Sequence, residues 1–216
     1  RLVILKNLVI GNETMTDIKL LSDEVINKIA AGEVVERPSS VVKELLENSI
    51  DSGATKISVE LVEGGTKSIV ITDNGKGIKA EDVPLTVCRH ATSKIVSAND
   101  LFAIHTMGFR GEALAAISSV SKFSIKSRHK DETTGTMLQI SNDQELVCPK
   151  TFPYDGPAGT IVMVEELFYN VPARSKFLKR SSTEYAHILE LVQSLSLIYP
   201  AIDFLLDHTE HVVEVQ

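Results

Sequence analysis

The chain contains little cysteine, no hydrophobic run long enough for a membrane span and no excess of basic charge. Its 216 residues include two cysteines, Cys88 and Cys148, which are too few for a disulfide framework or for a structural zinc site made of thiolates. The apolar run at residues 2–10 is far shorter than the ~20 residues that cross a bilayer. With 22 basic and 29 acidic side chains, the net charge is −7, which excludes a domain that coats DNA by charge alone.

The rest of the composition is that of a globular domain. Hydrophobic residues make up 43% and charged residues 24% of the chain, both ordinary values for a globular protein. Neither an internal repeat nor a linker rich in Pro, Gly or Ser divides it. Because the chain begins with Arg1 and Met15 is a suitable natural start, residues 1–14 are predicted to be a leader or an added extension. Residues 15–216 are predicted to be one domain, cut from a longer protein.

Hydrophobic periodicity predicts a mixture of helices and strands. Helices are expected near 23–31, 38–52, 80–89, 111–119, 172–179 and 182–198, and strands at 56–62, 68–72, 122–128, 134–141, 160–165, 202–207 and 211–216. Gly64 and Gly65 predict a hairpin between the first two strands, and Ser181 with Glu184 predicts a capping box on the last helix. This mixture predicts an α/β fold: a two-layer sandwich in which helices cover a mixed, mostly antiparallel sheet.

The helix at 38–52 carries an unusual polar face. Glu44, Asn48 and Asp51 stand at i, i+4 and i+7, with Glu47 beside them, opposite a core face of Val42, Leu45, Leu46, Ser49 and Ile50. Like charges at helical spacing are unfavourable, and asparagine is a poor residue for a helix interior. Carboxylate and amide oxygens are hard ligands that suit Mg²⁺. The sequence thus indicates a metal-binding face, with an ordinary solvated face as the alternative.

A second signal is the loop Asp73-Asn74-Gly75-Lys76-Gly77, which follows a buried strand. Asp73, placed before glycines that allow close approach, is a good hydrogen-bond acceptor for a flat heterocycle, although Asp-Asn-Gly also forms plain turns. With Ala80 the loop matches the G-x-G-x-x-A pattern of dinucleotide-binding proteins. The hairpin before the loop and Pro84 after it argue against the βαβ unit that this pattern requires.

A third signal is the loop at residues 108–111, which leads into a predicted helix. Free amides at the helix start and the forked cation of Arg110 would favour phosphate, with a tight structural loop as the alternative. Upstream, Thr92 and Ser93 supply hydroxyls and Lys94 a cation. A Walker A loop is absent, since Gly75-Lys76 is followed by glycine. One basic cluster, Arg174, Lys176, Lys179 and Arg180, is either a solvated face or a DNA contact.

Together, six segments resemble the MutL mismatch-repair proteins, most closely those of bacteria. These segments are residues 29–38, 43–51, 73–78, 89–94, 108–114 and 167–174. The asparagine helix and the Asp-x-Gly-x-Gly loop are shared by the wider GHKL ATPase superfamily, which includes gyrase-type topoisomerases, heat-shock chaperones and histidine kinases. The resemblance covers the chain from about Asp17 to its end and implies the GHKL ATPase fold.

The resemblance implies an ATP and Mg²⁺ site. Glu44 takes the position of the general base that activates water, and Asn48 that of the Mg²⁺ ligand. Asp73 matches the carboxylate that accepts from the adenine amino group, Gly77 lies against the base, and Thr160 is the polar residue beneath it. The lid over the phosphates corresponds to Thr92, Ser93, Lys94, Gly108, Phe109, Arg110 and Gly111.

The resemblance also implies a cytoplasmic ATPase whose slow, Mg²⁺-dependent hydrolysis drives lid closure and homodimerisation. Such a switch relays mismatch recognition from a MutS-type partner to a nuclease or helicase, with weak DNA contact through the dimer and no membrane contact. The family completes its site with a lysine from the next domain, and dimerises through a C-terminal domain. The fragment is therefore expected to bind Mg-ATP, to hydrolyse it very slowly and to be monomeric. Another GHKL ATPase, or a nucleotide-binding module without functional turnover, is the alternative.

Overall fold

The fold is a seven-stranded sheet with helices packed on one face. The structure is a computed structural model that describes residues 31–32, 34–89, 91, 111–141 and 149–210. The helices are α1 (Pro38–Asp51), α2 (Ala113–Ser119), α3 (Pro172–Ser175) and α4 (Ser181–Ile198), with 3₁₀ turns at Glu63–Gly65 and Val83–Val87. The strands are β1 (Lys56–Val62), β2 (Ser68–Asp73), β3 (Lys122–Arg128), β4 (Gly135–Ile140), β5 (Lys150–Tyr154), β6 (Gly159–Glu165) and β7 (Asp203–Thr209).

The sheet order is β5-β4-β3-β6-β2-β1-β7, and every neighbouring pair is antiparallel except the parallel pair β1 and β7. Alternate residues of the central strands point into one buried face, as a period of two requires. The predicted two-layer sandwich with a mostly antiparallel sheet is thus confirmed. Its core includes Leu46 of α1, Ile71 of β2, Ile125 of β3, Val162 of β6 and Ile188 of α4.

Helix α1 has the predicted boundaries and the predicted core face. Pro38 occupies the first turn, where its missing N–H costs nothing, and the helix ends at Ser52 and Gly53. Gly53 has φ of +77°, a left-handed conformation that glycine adopts without steric cost. Leu45, Leu46 and Ser49 are buried on the sheet side.

Two predicted helices are wrong in length or type. Residues 80–89 form a turn and the 3₁₀ helix Val83–Val87, because Pro84 donates no backbone hydrogen bond and the Thr86 hydroxyl donates to the Val83 carbonyl. The helix predicted at 172–179 stops at Ser175. Further along, the Lys179 amide donates to the Glu184 carboxylate at 2.9 Å rather than to a helical carbonyl.

The predicted capping box on α4 is also wrong. The helix starts after Arg180 without a side-chain cap, and Glu184 is buried. Its carboxylate accepts two hydrogen bonds of 3.2 Å from the Arg37 guanidinium, 147 positions earlier in the chain. A buried charge needs a partner, so the tertiary ion pair takes precedence over the local motif.

Strand β5 was not predicted, because four of its five residues are exposed and no alternation marks it. The strand predicted at 211–216 and the proposed boundary at residue 14 lie outside the described residues, as does nearly all of the helix near 23–31. Among the helices that the structure describes, none is long and apolar enough to cross a membrane.

Candidate nucleotide site

A row of polar residues runs along α1 toward the end of β2. Glu44, Asn48 and Ser52 are spaced by four residues, so they lie on one face of the helix, about 6 Å apart along its axis. Glu44 and Asn48 are half-buried, and Ser52 lies at the C-terminal end of α1. Its hydroxyl is 3.5 Å from Oδ1 of Asp73. The row therefore leads from Asp73 toward Glu44.

Asp73 is buried at the end of β2 and receives its main hydrogen bonds from two donors. The Ser49 hydroxyl donates to Oδ2 at 3.0 Å, and the Gly75 amide donates to Oδ1 at 2.9 Å. Ser52 contributes little, because its single proton goes to the Ser49 carbonyl at 2.7 Å and a 3.5 Å contact is weak. The carboxylate is thus held in place from the helix side and from the loop side.

The electrostatics of Asp73 reflect two opposing influences. Burial raises the pKa of the Asp73 carboxyl above its ordinary value, because the charged form loses its hydration. Hydrogen bonding from Gly75, Ser49, Ser52 and the Thr160 backbone lowers this pKa, but the effect of burial is larger. A carboxylate has about four lone-pair sites, so donors from within the protein leave capacity for a donor on a ligand.

The loop after Asp73 is fixed by its own side chain and by the neighbouring β3–β4 turn. The Asn74 Oδ1 accepts the amides of Thr55 and Lys56, both at 2.9 Å. Gly77 has φ of +71°, and a Cβ at this position would overlap the carbonyl oxygen of Arg128. Only glycine fits here, because its φ is left-handed and the backbone of Arg128 and His129 occupies the space that a Cβ would need.

Thr160, the second residue of β6, lies directly opposite Asp73 in the antiparallel register. Its hydroxyl lies 3.0 Å from that of Ser127, which is fully buried on β3. Ser127 also accepts the Ile78 amide at 2.9 Å. Asp73, Thr160 and the loop through Gly77 are therefore brought together, and these are the residues for which the family resemblance implies contact with the base.

The remaining predictions concern the lid residues and the basic cluster. Gly111 is described and has φ of +63°, two residues before α2. The predicted lid residues Thr92, Ser93, Lys94, Gly108, Phe109 and Arg110 lie outside the described residues. Arg174 of the basic cluster has a structural contact, since its Nη1 donates to the Val35 carbonyl at 3.0 Å and its guanidinium lies over the Phe168 ring.

The metal chemistry of the site fits a cation that is shared with a ligand. Within the described part of the chain, no group of three His, Cys, Asp or Glu side chains could hold a metal. Mg²⁺ keeps several waters and is usually bound through one or two protein oxygens together with substrate phosphates. The half-buried Asn48, adjacent in the row to Glu44, suits that role, whereas a cage made of protein ligands alone does not.

The structure also excludes the dinucleotide alternative. Strand β2, which leads into the Asp73 loop, pairs antiparallel with both neighbours, β1 and β6. The loop then enters a turn and a 3₁₀ helix. This is not the parallel βαβ unit that the G-x-G-x-x-A pattern requires.

Sequence reasoning missed Ser49 and Ser127 as site residues. Both carried a signal, because each is a polar residue at a position that periodicity assigns to the buried face. Ser49 interrupts the apolar face of α1, and Ser127 follows Phe123 and Ile125 on the inward side of β3. Buried hydroxyls need hydrogen-bond partners, and both find them around the pair of Asp73 and Thr160.

Comparison with known proteins agrees with this geometry. Residues 36–155 match the family of histidine kinase-, DNA gyrase B- and HSP90-like ATPases. The chain is 51% identical over 191 residues to a DNA mismatch repair protein MutL of Xylella fastidiosa strain M23, covering 88% of this chain and 30% of that protein. Identity to MutL of Chlorobium chlorochromatii is 53% over 190 residues, covering 88% and 29%. The chain thus spans about a third or less of these relatives.

A solved structure, the Aquifex aeolicus MutL ATPase domain complexed with ADP, aligns with a TM-score of 0.66 and 37% identity, covering 82% of this chain and 62% of that one. The family match includes α1, the Asp73 loop and β3. The chain therefore belongs to the histidine kinase-, DNA gyrase B- and HSP90-like ATPase family, in which it is a homologue of the ATPase domain of MutL DNA mismatch repair proteins.

Proposed function

We propose that this chain binds ATP with Mg²⁺ and hydrolyses it slowly, with the adenine at Asp73 and the phosphates toward Glu44. The observation that carries this proposal is the buried Asp73 carboxylate at one end of the row Ser52, Asn48 and Glu44. A fixed acceptor beside the bare backbone of Gly77 suits a flat base with an amino group. Half-buried oxygens about 6–12 Å along the helix axis suit a cation and water.

In this assignment each residue of the site has its own role. Asp73 accepts a hydrogen bond from the base, Gly77 allows the base to lie against the backbone, and Asn48 offers an amide oxygen to Mg²⁺. Glu44 orients a water molecule and takes its proton, as a general base does. Bound Mg-ATP supplies the activated phosphoryl group, whose transfer depends mainly on positioning and charge stabilisation. Residues 92–94 and 108–111 are proposed to close over the phosphates.

The role of the longer protein is proposed on the same basis. Relatives about 51% identical are DNA mismatch repair proteins, so nucleotide-driven closure and homodimerisation would relay mismatch recognition from a MutS-type partner to a nuclease or helicase in the cytoplasm. DNA contact would be weak and would occur through the dimer.

The 216-residue chain alone is proposed to be monomeric and slow in turnover. Sedimentation with and without a non-hydrolysable ATP analogue, in this chain and in the longer protein, tests that difference.

The nucleotide assignment is tested by calorimetry with the imido analogue of ATP. Binding to the 216-residue chain should strengthen when Mg²⁺ is added and should be lost in Asp73→Ala. The control is Asp207→Ala, which removes an exposed carboxylate on β7 and should leave binding unchanged. Equal binding by wild type and Asp73→Ala would show that the base lies elsewhere.

A further inference from the structure

The connection between β6 and α3 contains two residues in a backbone conformation that is unusual for their type. Glu166 has φ of +51° and Phe168 has φ of +66°, in the left-handed region that residues with a Cβ rarely adopt. Phe168 is also 1% exposed, so the strained residue carries a bulky ring that is held in the core. Strain of this kind persists only where the surrounding structure fixes it, and it is concentrated in segments with a function.

Contacts on both sides of this turn hold Phe168 in place. Its amide donates to the Val120 carbonyl at 2.7 Å, and its carbonyl accepts the Val171 amide at 3.0 Å. The guanidinium of Arg174 lies 5.9 Å from the centre of the Phe168 ring and donates from Nη1 to the Val35 carbonyl at 3.0 Å. The turn is therefore fixed between the end of α2 and the residues that precede α1.

The same turn holds the C-terminal end of α2. The Nδ2 of Asn170 donates to the Ser119 carbonyl at 2.9 Å, next to the hydrogen bond from the Phe168 amide to Val120. The last carbonyls of a helix have no partner within the helix, so these two donors satisfy them from outside. Two directional hydrogen bonds thus connect the end of α2 to the strained turn.

The buried side chains of α2 do not fix its direction in the same way. The hydroxyls of Ser118 and Ser119 are buried, and they donate to carbonyls one turn earlier in the same helix at 3.0 and 2.8 Å. Ile117 is completely buried, but apolar contacts are non-directional. The direction of α2 therefore depends on the hydrogen bonds at its C-terminal end.

We propose that Asn170 is a positioning residue, which fixes the direction of α2 and thereby the place of Gly111 at the terminal phosphate of ATP. This inference rests on the proposed function and deepens it. Gly111 lies two residues before α2, at the opposite end from Ser119. A helix of this length spans about 10 Å, so a tilt of about 10° at its C-terminal end displaces its start by about 2 Å. Asn170 acts through α2 and does not itself touch the nucleotide.

The first test is Asn170→Leu, which is close in size but removes the donor to the Ser119 carbonyl. Calorimetry on the 216-residue chain measures the Kd of the imido analogue of ATP and the Kd of ADP. The Kd of the ATP analogue should rise about tenfold and that of ADP less than about threefold, because ADP lacks the terminal phosphate. A merely structural role for Asn170 would weaken both nucleotides equally, which would overturn the inference.

The matched control is Gln139→Leu, which removes an amide at an exposed position on β4. This variant should leave the Kd of both nucleotides unchanged. A rise in the Kd of the ATP analogue alone in Gln139→Leu, as large as in Asn170→Leu, would overturn the assignment of the effect to the contact with α2.

A measurement on the wild-type chain decides the question even if Asn170→Leu does not fold. Coupling between two sites is reciprocal, so a nucleotide that fixes Gly111 should also fix the other end of α2. The Phe168 amide, which donates to Val120, should then exchange its hydrogen about tenfold more slowly with the ATP analogue bound than with ADP bound. Equal exchange rates in the two complexes would overturn the inference.

The two proposals fail in different ways. Wild-type chain that binds both nucleotides, without the difference in exchange and without the change of Kd ratio in Asn170→Leu, contradicts only this inference. Wild-type chain that binds neither nucleotide contradicts the proposed function as well.

Discussion

The two ends of the polar row on α1 differ in how their side chains are held. At the base end, Asp73 and Thr160 are each 9% exposed and lie within a network of hydrogen bonds to Ser49, Gly75 and Ser127. At the other end, Glu44 and Asn48 are half-buried on one helix face. The base end is therefore the more deeply buried of the two, whereas the Glu44 end is partly exposed to solvent.

This difference matches what each end is proposed to do. Recognition of a base needs fixed acceptors, because a rigid edge discriminates donors from acceptors without reorganisation. Chemistry at a phosphate needs room for water and a hydrated cation, which side chains that are partly exposed to solvent can provide. Substitutions at the base end should thus change affinity, specificity or stability, whereas those at the Glu44 end should change turnover.

The largest expected effect is on turnover in Glu44→Gln. In a chain extended to the length of its MutL relatives, kcat should fall by about 100-fold or more, since general-base catalysis contributes 10²–10⁴-fold, while the Kd for the ATP analogue stays within about threefold. Phosphate release and calorimetry measure the two quantities. Glu47→Gln is the matched control, because Glu47 is buried and paired with Lys43 at 3.4 Å and should retain turnover. Loss of binding in Glu44→Gln would make Glu44 a structural residue.

The next effect is on affinity in Gly77→Ala. Both Gly77 and Gly53 have positive φ, +71° and +77°, so alanine at either site costs about 1–2 kcal/mol of backbone strain. At Gly77 the new Cβ also overlaps the Arg128 carbonyl, whereas at Gly53 nothing lies within 4 Å. Gly77→Ala should therefore weaken analogue binding by about tenfold or more, and Gly53→Ala should only lower the melting temperature. Similar affinities in the two variants would show that the loop does not contact the base.

An effect of comparable size distinguishes Ser49 of α1 from Ser52, which follows the helix. Ser49→Ala removes a 3.0 Å hydrogen bond to the buried carboxylate of Asp73, and hydrogen bonds to charged groups contribute about 1.5–3 kcal/mol. Ser52→Ala removes a proton that goes to the helix carbonyl of Ser49, and it should have little effect on either stability or affinity. Denaturant unfolding and calorimetry test both variants. A larger loss in Ser52→Ala would mean that the 3.5 Å contact is the one that holds Asp73.

The same contrast explains which parts of the molecule could be predicted from the sequence. Glu44, Asn48 and Asp73 could be singled out as candidates because helical spacing and turn chemistry are local signals, and their roles stay predictions. The partners of Asp73 were not found, because only the packing of α1 against β2 shows that Ser49 reaches it. Glu184 gave a misleading local signal, since Arg37 meets it only in the tertiary fold. Strand β5 had no signal, because four of its five residues are exposed and its sequence shows no alternation, whereas the other edge strand, β7, alternates.

The smallest expected effect concerns the stability contributed by Asp73 itself. Burial raises the pKa of this carboxyl in the folded chain above its ordinary value. The folded state thus binds the proton more tightly than the unfolded state, and stability falls as the pH rises from the unfolded pKa through the folded pKa. Asp73→Asn removes the buried charge, so the stability of the variant relative to wild type should increase over that pH window and stay constant above it. Urea unfolding between pH 4 and 8, without nucleotide, measures the difference.

A variant that loses stability relative to wild type as the pH rises would contradict this prediction. It would show that the hydrogen bonds from Ser49 and Gly75 outweigh the cost of burial, and that the charge of Asp73 stabilises the fold.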